Sequence, residues 1–239
     1  MPKLLVSDLG TRQYAGALEL QRAVARARIS GAFSEDLLLL VEHPPVVTLG
    51  RSSKEQHLLA SPELLRSRGV ELHEVERGGD VTFHGPGQLV GYPIIDLKRH
   101  KQDLHWFLRQ VEETLIVALA PFGIVGERSK GFTGVWTGGR KIASIGVHAR
   151  DWVTWHGFAL NVTTDLSWFD LMVPCGIAAV EMTSVEREIV QVSGTAGASR
   201  LGQAIRQTIV AAFCSVFSLE AETLTSAELE CITVKLATA

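Results

Sequence analysis

Cys175 stands between Pro174 and Gly176 in the stretch MVPCGIAAVEMTSVERE, residues 172–188. Proline and glycine disfavour a helix interior and a regular strand ladder there, so the sulfur is expected on an accessible turn. The chemistry of such a thiol is nucleophilic: its thiolate attacks an acyl carbonyl and holds the acyl group as a thioester. A free cysteine titrates near about 8.5, so at neutral pH only a few per cent is ionised unless a cation stands nearby. Lys141 follows a Gly-Gly-Arg turn and opens the apolar run 142–147. A lysine there is either a solvated edge residue whose stem covers apolar surface or an amine desolvated by its strand toward the range of a useful base. The residues alone leave both open. Taken singly, a cysteine is more often a small buried hydrophobe. Cys214, inside a periodic helix, is read as packing, and Cys231, in the tail, is given no role.

Two further segments are glycine-rich without being linkers. RGGDVTFHGPGQLVGYPI, residues 77–94, places Gly78, Gly79, Gly85 and Gly87 around Arg77 and His84. Glycines let a ligand approach the main chain closely, and this density favours a site over a plain hairpin. GVWTGGRKIASIGVHARDWVTWHGFALNV, residues 134–162, carries Lys141, His148 and His156. Acyl transfer also needs donors for a developing oxyanion, and backbone N–H groups near Gly176 and in the 77–84 loop are the candidates. None of the 8 histidines has the i, i+4 zinc-protease setting and no Cys-x-x-Cys occurs, so no metal site is assigned. Neither a G-x-x-x-x-G-K-[ST] loop nor a G-x-G-x-x-G turn is present to cradle a nucleotide.

The elements that must position these residues follow from periodicity. A short strand at 4–6 precedes a helix with Tyr14, Ala17, Leu18 and Val24 on one face, ended by Gly31. The apolar run 37–41 reads as a buried strand. Ser61-Pro62 caps a short helix that Gly69 stops. A core strand is expected at 89–97, then a helix presenting Leu104, Phe107, Leu108, Val111, Leu115 and Ala118. Residues 133–162 suggest a hairpin or meander, and a last helix covers 201–217. Such an order indicates an α/β or α+β domain around a mixed β-sheet with flanking helices. One domain is expected over 1–217, with 218–239 a tail or small appendage.

Composition fits that reading. The 239 residues are 46% hydrophobic and 21% charged, enough for a sizeable core without disulfides. A net charge of -3 gives nucleic-acid binding no electrostatic support. No apolar stretch approaches the roughly 18–20 residues of a membrane span, and no signal peptide is legible. An odd 3 cysteines argue against a disulfide framework and for a reducing cytoplasm. Two basic clusters, Lys98-Arg99-His100-Lys101 and Arg128, Lys130, Arg140 and Arg150, are candidates for steering an acidic partner.

Taken together, RGGDVTFHGPGQLVGYPIIDL, TGGRKIASIGVH, HGFALNV and PCGI followed by TSVERE resemble, in order and spacing, the lipoyl(octanoyl) transferase family. The resemblance covers roughly residues 1–215 and implies a fold shared with biotin and lipoate protein ligases. It implies Cys175 as the acyl-thioester nucleophile and Lys141 as its activating partner; His84 is a further catalytic candidate, either orienting the acyl carbonyl or Lys141 or replacing Lys141 as the base. Substrate contacts are implied at Arg77, Gly78, Gly79, Asp80, Val81, Thr82, Phe83 and His84, at Ser144, Ile145 and Gly146, and at Gly157, Phe158 and Ala159. The implied donor is octanoyl-acyl carrier protein; the acceptor is a lysine on lipoyl domains of 2-oxoacid dehydrogenases or on the glycine-cleavage H protein. No cofactor is implied. Two other activities compete: an ATP-dependent lipoate or biotin ligase, whose acyl-adenylate route needs no cysteine, and a cysteine hydrolase pairing Cys175 with His84 or His148.

Overall fold

The computed structural model describes residues 1–193, 198–225 and 227–229. In chain order the regular elements are β1 (Lys3–Thr11), α1 (Tyr14–Ser30), β2 (Asp36–Glu42), β3 (Val46–Leu49), α2 (Pro62–Ser67), β4 (Glu71–Glu74), β5 (Val81–His84), β6 (Gln88–Ile94), α3 (Leu104–Leu119), β7 (Gly134–Thr137), β8 (Arg140–Arg150), β9 (Val153–Asn161), α4 (Val185–Ser193), α5 (Ala198–Phe217) and β10 (Glu220–Thr223). A seven-stranded sheet runs β10-β1-β2-β6-β9-β8-β7, and a three-stranded sheet runs β4-β3-β5. The large sheet is mixed: β1 is parallel to β10 and β2, and the pairs from β2 through β7 are antiparallel.

The run 37–41 shows why the strands lie where they do. Leu38 and Leu40 face the cluster built by α3 and α5, through Phe107, Val111, Leu115, Ile205 and Phe213. Leu37, Leu39 and Val41 face the opposite cluster, against Ala17, Leu20 and Val24 of α1. A strand covered on both faces needs no polar alternation, so an unbroken apolar run is the expected pattern. Helix ends follow local chemistry. Asp103 accepts from the Trp106 N–H at 3.0 Å to open α3, and Ser61 accepts from the Leu64 N–H at 3.2 Å to open α2. Gly31 closes α1 in the left-handed conformation.

The mixed sheet with flanking helices agrees with the sequence reading, and β7–β9 form the meander expected over 133–162. Three features differ. α4 has no counterpart in that reading, and the small sheet is built on strands of four residues each. The chain also does not leave the domain after Phe217: β10 pairs with β1 in register Lys3↔Glu220 through Val6↔Thr223, and Leu219 and Leu229 are buried. All four β10 side chains are exposed, so an edge strand here carries no inward apolar pattern to read. Cys214 is half-buried against the α3/α5 core, and burial raises its thiol pKa. Cys231 lies outside the described residues. Among the described residues no helix is long and apolar enough to cross a membrane.

Candidate active site

Two glycine-bearing stretches of the segment 134–162 become cross-strand partners in one hairpin. On β8 and β9 the register pairs Ser144↔Ala159, Ile145↔Phe158 and Gly146↔Gly157. The Arg77–Asp80 loop lies across this hairpin, with the Gly78 N–H donating to Val147 O at 2.9 Å. A Cβ on Gly146 would stand 2.8 Å from Gly78 O, so only glycine admits the loop this closely. The Arg77 guanidinium fixes the loop from behind, with Nη2 donating to Thr48 O and Thr48 Oγ1 at 2.8 Å each and Nη1 donating to Gly78 O at 3.2 Å.

Lys141 opens β8 and is brought to Cys175 by the backbone of the segment that follows the Pro-Cys-Gly turn. The Lys141 N–H donates to Glu181 O at 2.8 Å, and the Thr183 N–H donates to Lys141 O at 2.9 Å. This two-point attachment folds residues 173–180 back over the lysine. Lys141 Nζ then lies 3.1 Å from Cys175 Sγ and 4.9 Å from the centre of the Trp136 ring. Ser144 Oγ is 3.6 Å from the same sulfur. The lysine is 0% exposed, which rules out the solvated-edge alternative. Cys175 itself is only half-buried, on a turn with φ 56° and ψ 19°. A non-glycine residue in the left-handed region is uncommon and is held there only by its surroundings.

The thiol opens on a cavity of about 310 Å³. Its wall includes Arg77, Gly78, Gly79, Asp80, Thr82 and His84 of the first motif, together with Ser144, Ile145 and Gly146 and Gly157, Phe158 and Ala159. Val81 and Phe83 do not line it. Strand alternation turns both to the other face of β5, where they are 0% exposed and pack with Val47, Leu65 and Phe169. Their expected side-chain contact with substrate is therefore corrected to a core role. Residues that sequence reasoning passed over also line the cavity: Tyr14, Tyr92, Leu104, Leu108 and Phe132. They come from α1, β6, α3 and the loop before β7; the sequence placed Tyr14, Leu104 and Leu108 on apolar helix faces and Tyr92 inside the first glycine-rich segment without assigning any of them to a site.

His84 is oriented by a chain of donors. Its Nδ1 meets Gln88 Oε1 at 2.8 Å, Gln88 Nε2 donates to Asn161 Oδ1 at 2.9 Å, and Asn161 Nδ2 donates to Thr183 O at 3.0 Å. An amide oxygen only accepts, so His84 carries its proton on Nδ1 and Nε2 is left unprotonated. Burial, with His43 and Tyr14 packed against the ring, lowers the His84 pKa to about 3, so the ring is neutral. His43 is neutral for the same reason, its pKa lowered by burial to about 4, with Nδ1 2.7 Å from Arg12 O and Nε2 2.8 Å from Tyr92 Oη.

Two expectations about the surroundings change. The Gly176 N–H, a candidate donor to an oxyanion, already donates to Val173 O at 2.9 Å and is not free for that task. The basic clusters are largely paired within the chain: Lys98 with Asp96, His100 with Asp36, Lys101 with Asp103, Arg128 with Glu112 and Glu113, Arg140 with Glu188 and Arg150 with Asp151. They do not make an unopposed basic rim.

Residues 13–206 match the family model described as the lipoyl protein ligase A/B catalytic domain. An octanoyltransferase of Gloeobacter violaceus is 45% identical over 222 residues, spanning 93% of this chain and 94% of that protein. An octanoyltransferase of Acidobacterium capsulatum is 55% identical over 195 residues, spanning 76% and 79%. The bipartite lipoate protein ligase of Thermoplasma acidophilum superposes with a TM-score of 0.74 at 15% identity, over 99% of this chain and 92% of that one. Lipoate-protein ligase A bound with ATP gives 0.70 at 15% identity, over 98% and 93%. At that identity the structural likeness concerns the fold, and the sequence likeness carries the relationship: the chain belongs to the lipoyl protein ligase A/B catalytic-domain family and groups there with octanoyltransferases.

Proposed function

We propose that the chain is an acyltransferase that moves an octanoyl group from octanoyl-acyl carrier protein, through a thioester on Cys175, to a lysine of a lipoyl domain. The carrying observation is the 3.1 Å approach of Lys141 Nζ to Cys175 Sγ at the cavity wall. Octanoyltransferases at 45% and 55% identity support octanoyl as the group moved. A buried ammonium beside the sulfur favours the thiolate. That thiolate attacks the donor thioester, and the departing carrier thiolate takes a proton from the Lys141 ammonium. Lys141, now an amine, accepts one proton from the incoming acceptor ammonium. The freed amine attacks the Cys175 thioester; the second proton leaves to solvent as the amide forms and the thiolate returns beside the ammonium. Exchange between thioesters is nearly balanced, and amide formation draws the sequence forward.

Leu104, Leu108, Ile145, Val147 and Phe158 supply apolar wall to the cavity. At about 0.8 kcal/mol per buried CH₂, the seven carbons beyond the carbonyl supply about 5–6 kcal/mol of binding. A reducing cytoplasm suits the mechanism, since the reactive thiol must stay free. The hydrolase alternative is disfavoured because Sγ meets Lys141 Nζ at 3.1 Å, and a His84 pKa lowered to about 3 by burial makes that ring a weak base for ionising a thiol. The test is intact-protein mass spectrometry after incubation with octanoyl-acyl carrier protein. Without ATP, the native chain should gain one octanoyl group that passes to an added lipoyl domain, and Cys175→Ser should gain none. An ATP requirement, or labelling of the serine variant to the same extent, would refute the proposal.

A further inference from the structure

One partly buried ionisable pair beside the reactive turn takes no proton-transfer part in the chemistry above. His57 ends a single 3₁₀ turn, Glu55–His57, and its Nδ1 lies 2.6 Å from Asp80 Oδ2. A carboxylate only accepts, so Nδ1–H is the donor. The other Asp80 oxygen accepts from the Val81 N–H at 2.7 Å, which leaves the carboxylate fixed at both ends. The pair presses on the residue that follows the cysteine. A Cβ on Gly176 would stand 2.5 Å from Asp80 Oδ2 and 3.1 Å from His57 Nδ1 and Cε1. The main chain is tied as well: the Val173 N–H donates to His57 O at 2.7 Å, and the N–H groups of Leu59 and Ala60 donate to Leu171 O at 2.9 and 3.0 Å. Cys175 and Gly176 both have positive φ, 56° and 67°, a local shape that an L-residue does not hold unaided.

We propose that His57 and Asp80 form a positioning pair that, through Gly176 and Val173, holds the Cys175 turn in its left-handed shape and keeps Sγ against Lys141. His57 is not among the cavity-lining residues, so it acts through the turn rather than on the substrate. Asp80 does line the cavity, and it supplies the rigid backstop. Glycine at 176 is required by this contact as much as by its φ.

The inference rests on Cys175 as the nucleophile, and the experiment separates the two claims. In the full chain, formation of octanoyl-Cys175 is followed in single turnovers for the native protein, His57→Ala, His57→Asn and Gly176→Ala, with Cys175→Ser as control. Losing a hydrogen bond to a charged group should slow acylation at saturating donor by about 10- to 100-fold in His57→Ala. Half-saturating donor should stay within about twofold, since the cavity is unchanged. Asparagine can place an amide N–H near the Nδ1 position and should recover the rate to within about threefold of native. Gly176→Ala, which perturbs the same contact from the other side, should show the same loss at saturation and serves if His57→Ala does not fold. Native rates in His57→Ala or in Gly176→Ala, or an asparagine variant no better than alanine, would overturn the positioning role while Cys175→Ser remained inert. Acylation of Cys175→Ser would instead overturn the nucleophile itself.

Discussion

The neutral histidines behind the cavity should make the fold acid-sensitive in a window that can be worked out. His84 and His43 are buried with pKa values lowered to about 3 and about 4, against an ordinary value near 6.5. Between those limits the unfolded chain binds protons that the folded chain refuses, so stability falls as pH falls; above 6.5 neither state is charged and no loss occurs. The slope is about 1.4 kcal/mol per pH unit per histidine, so each removes about 2 kcal/mol between pH 7 and pH 5. The two rings are 6.1 Å apart and repel one another when charged, which works in the same direction. His84→Asn isolates one contribution, because its amide can still donate to Gln88 but cannot titrate. Urea unfolding at pH 7 and pH 5 should show the native chain losing about 2 kcal/mol more than the variant over that interval. Acidic side chains contribute alike to both proteins and cancel in the difference. Equal pH dependence in the two would mean that His84 is protonated or solvated in the folded state, and the assignment of its proton to Nδ1 alone would fail.

Other substitutions separate the roles of neighbouring residues. Lys141→Ala should reduce acyl-enzyme formation by about a thousandfold, within the usual range for a proton-transfer group, and by more than His84→Ala; comparable losses in single-turnover assays would remove the distinction. Lys141→Arg should not restore it, because a planar guanidinium cannot occupy the enclosed point-charge position over Trp136 or surrender its proton. Ser144→Ala, which removes a hydroxyl 3.6 Å from the sulfur, should slow acylation only about two- to fivefold by the same assay. Phe83→Ala should cost about 3–5 kcal/mol in urea unfolding, since the ring is fully buried and stacks on Trp168 at 5.2 Å, while half-saturating donor concentration stays within about twofold.

What the sequence revealed of the fold depended on how much of an element's neighbourhood is carried by its own residues. The run 37–41 declared a doubly covered strand because each of its faces meets a helix layer. The helix over Leu104–Leu119 declared itself through one apolar face and an aspartate cap. By contrast β4, with the sequence ELHE, and β10, with EAET, are short strands whose side chains are mostly exposed. Their place in a sheet is set by backbone pairing with β3 and β1, which leaves no periodic trace in the side chains. The Thr-Ser-Val-Glu-Arg-Glu stretch reads as a motif, and it also opens α4 with Glu186 and Glu188 in the first turn.

The site divides along the same line. Local composition singled out Cys175, His84 and the glycine-bearing segments and left Lys141 open, and the roles assigned to Cys175 and Lys141 came from the resemblance of four ordered motifs. The two-residue period of a strand dictates that Val81 and Phe83 turn away from any ligand that Thr82 and His84 meet. The partners of the reactive groups carry less of a signature: Gln88, Asn161 and Thr183 fall inside the quoted motifs but nothing local says what each one meets, and His57 lies outside them. His57, Gln88, Asn161 and Thr183 are ordinary residues on four separate segments, joined only by bonds of 2.6–3.0 Å within two short networks. A sulfur on a left-handed turn and an amine on a strand could exist in many folds; here they lie 3.1 Å apart, and the His57–Asp80 and Gln88–Asn161 links join residues 23 and 73 positions apart, a separation over which local pattern has no reach. The positioning apparatus is therefore where substitution should alter rate while leaving donor affinity nearly unchanged, and where the chemistry of the motif residues stops being sufficient to explain the enzyme.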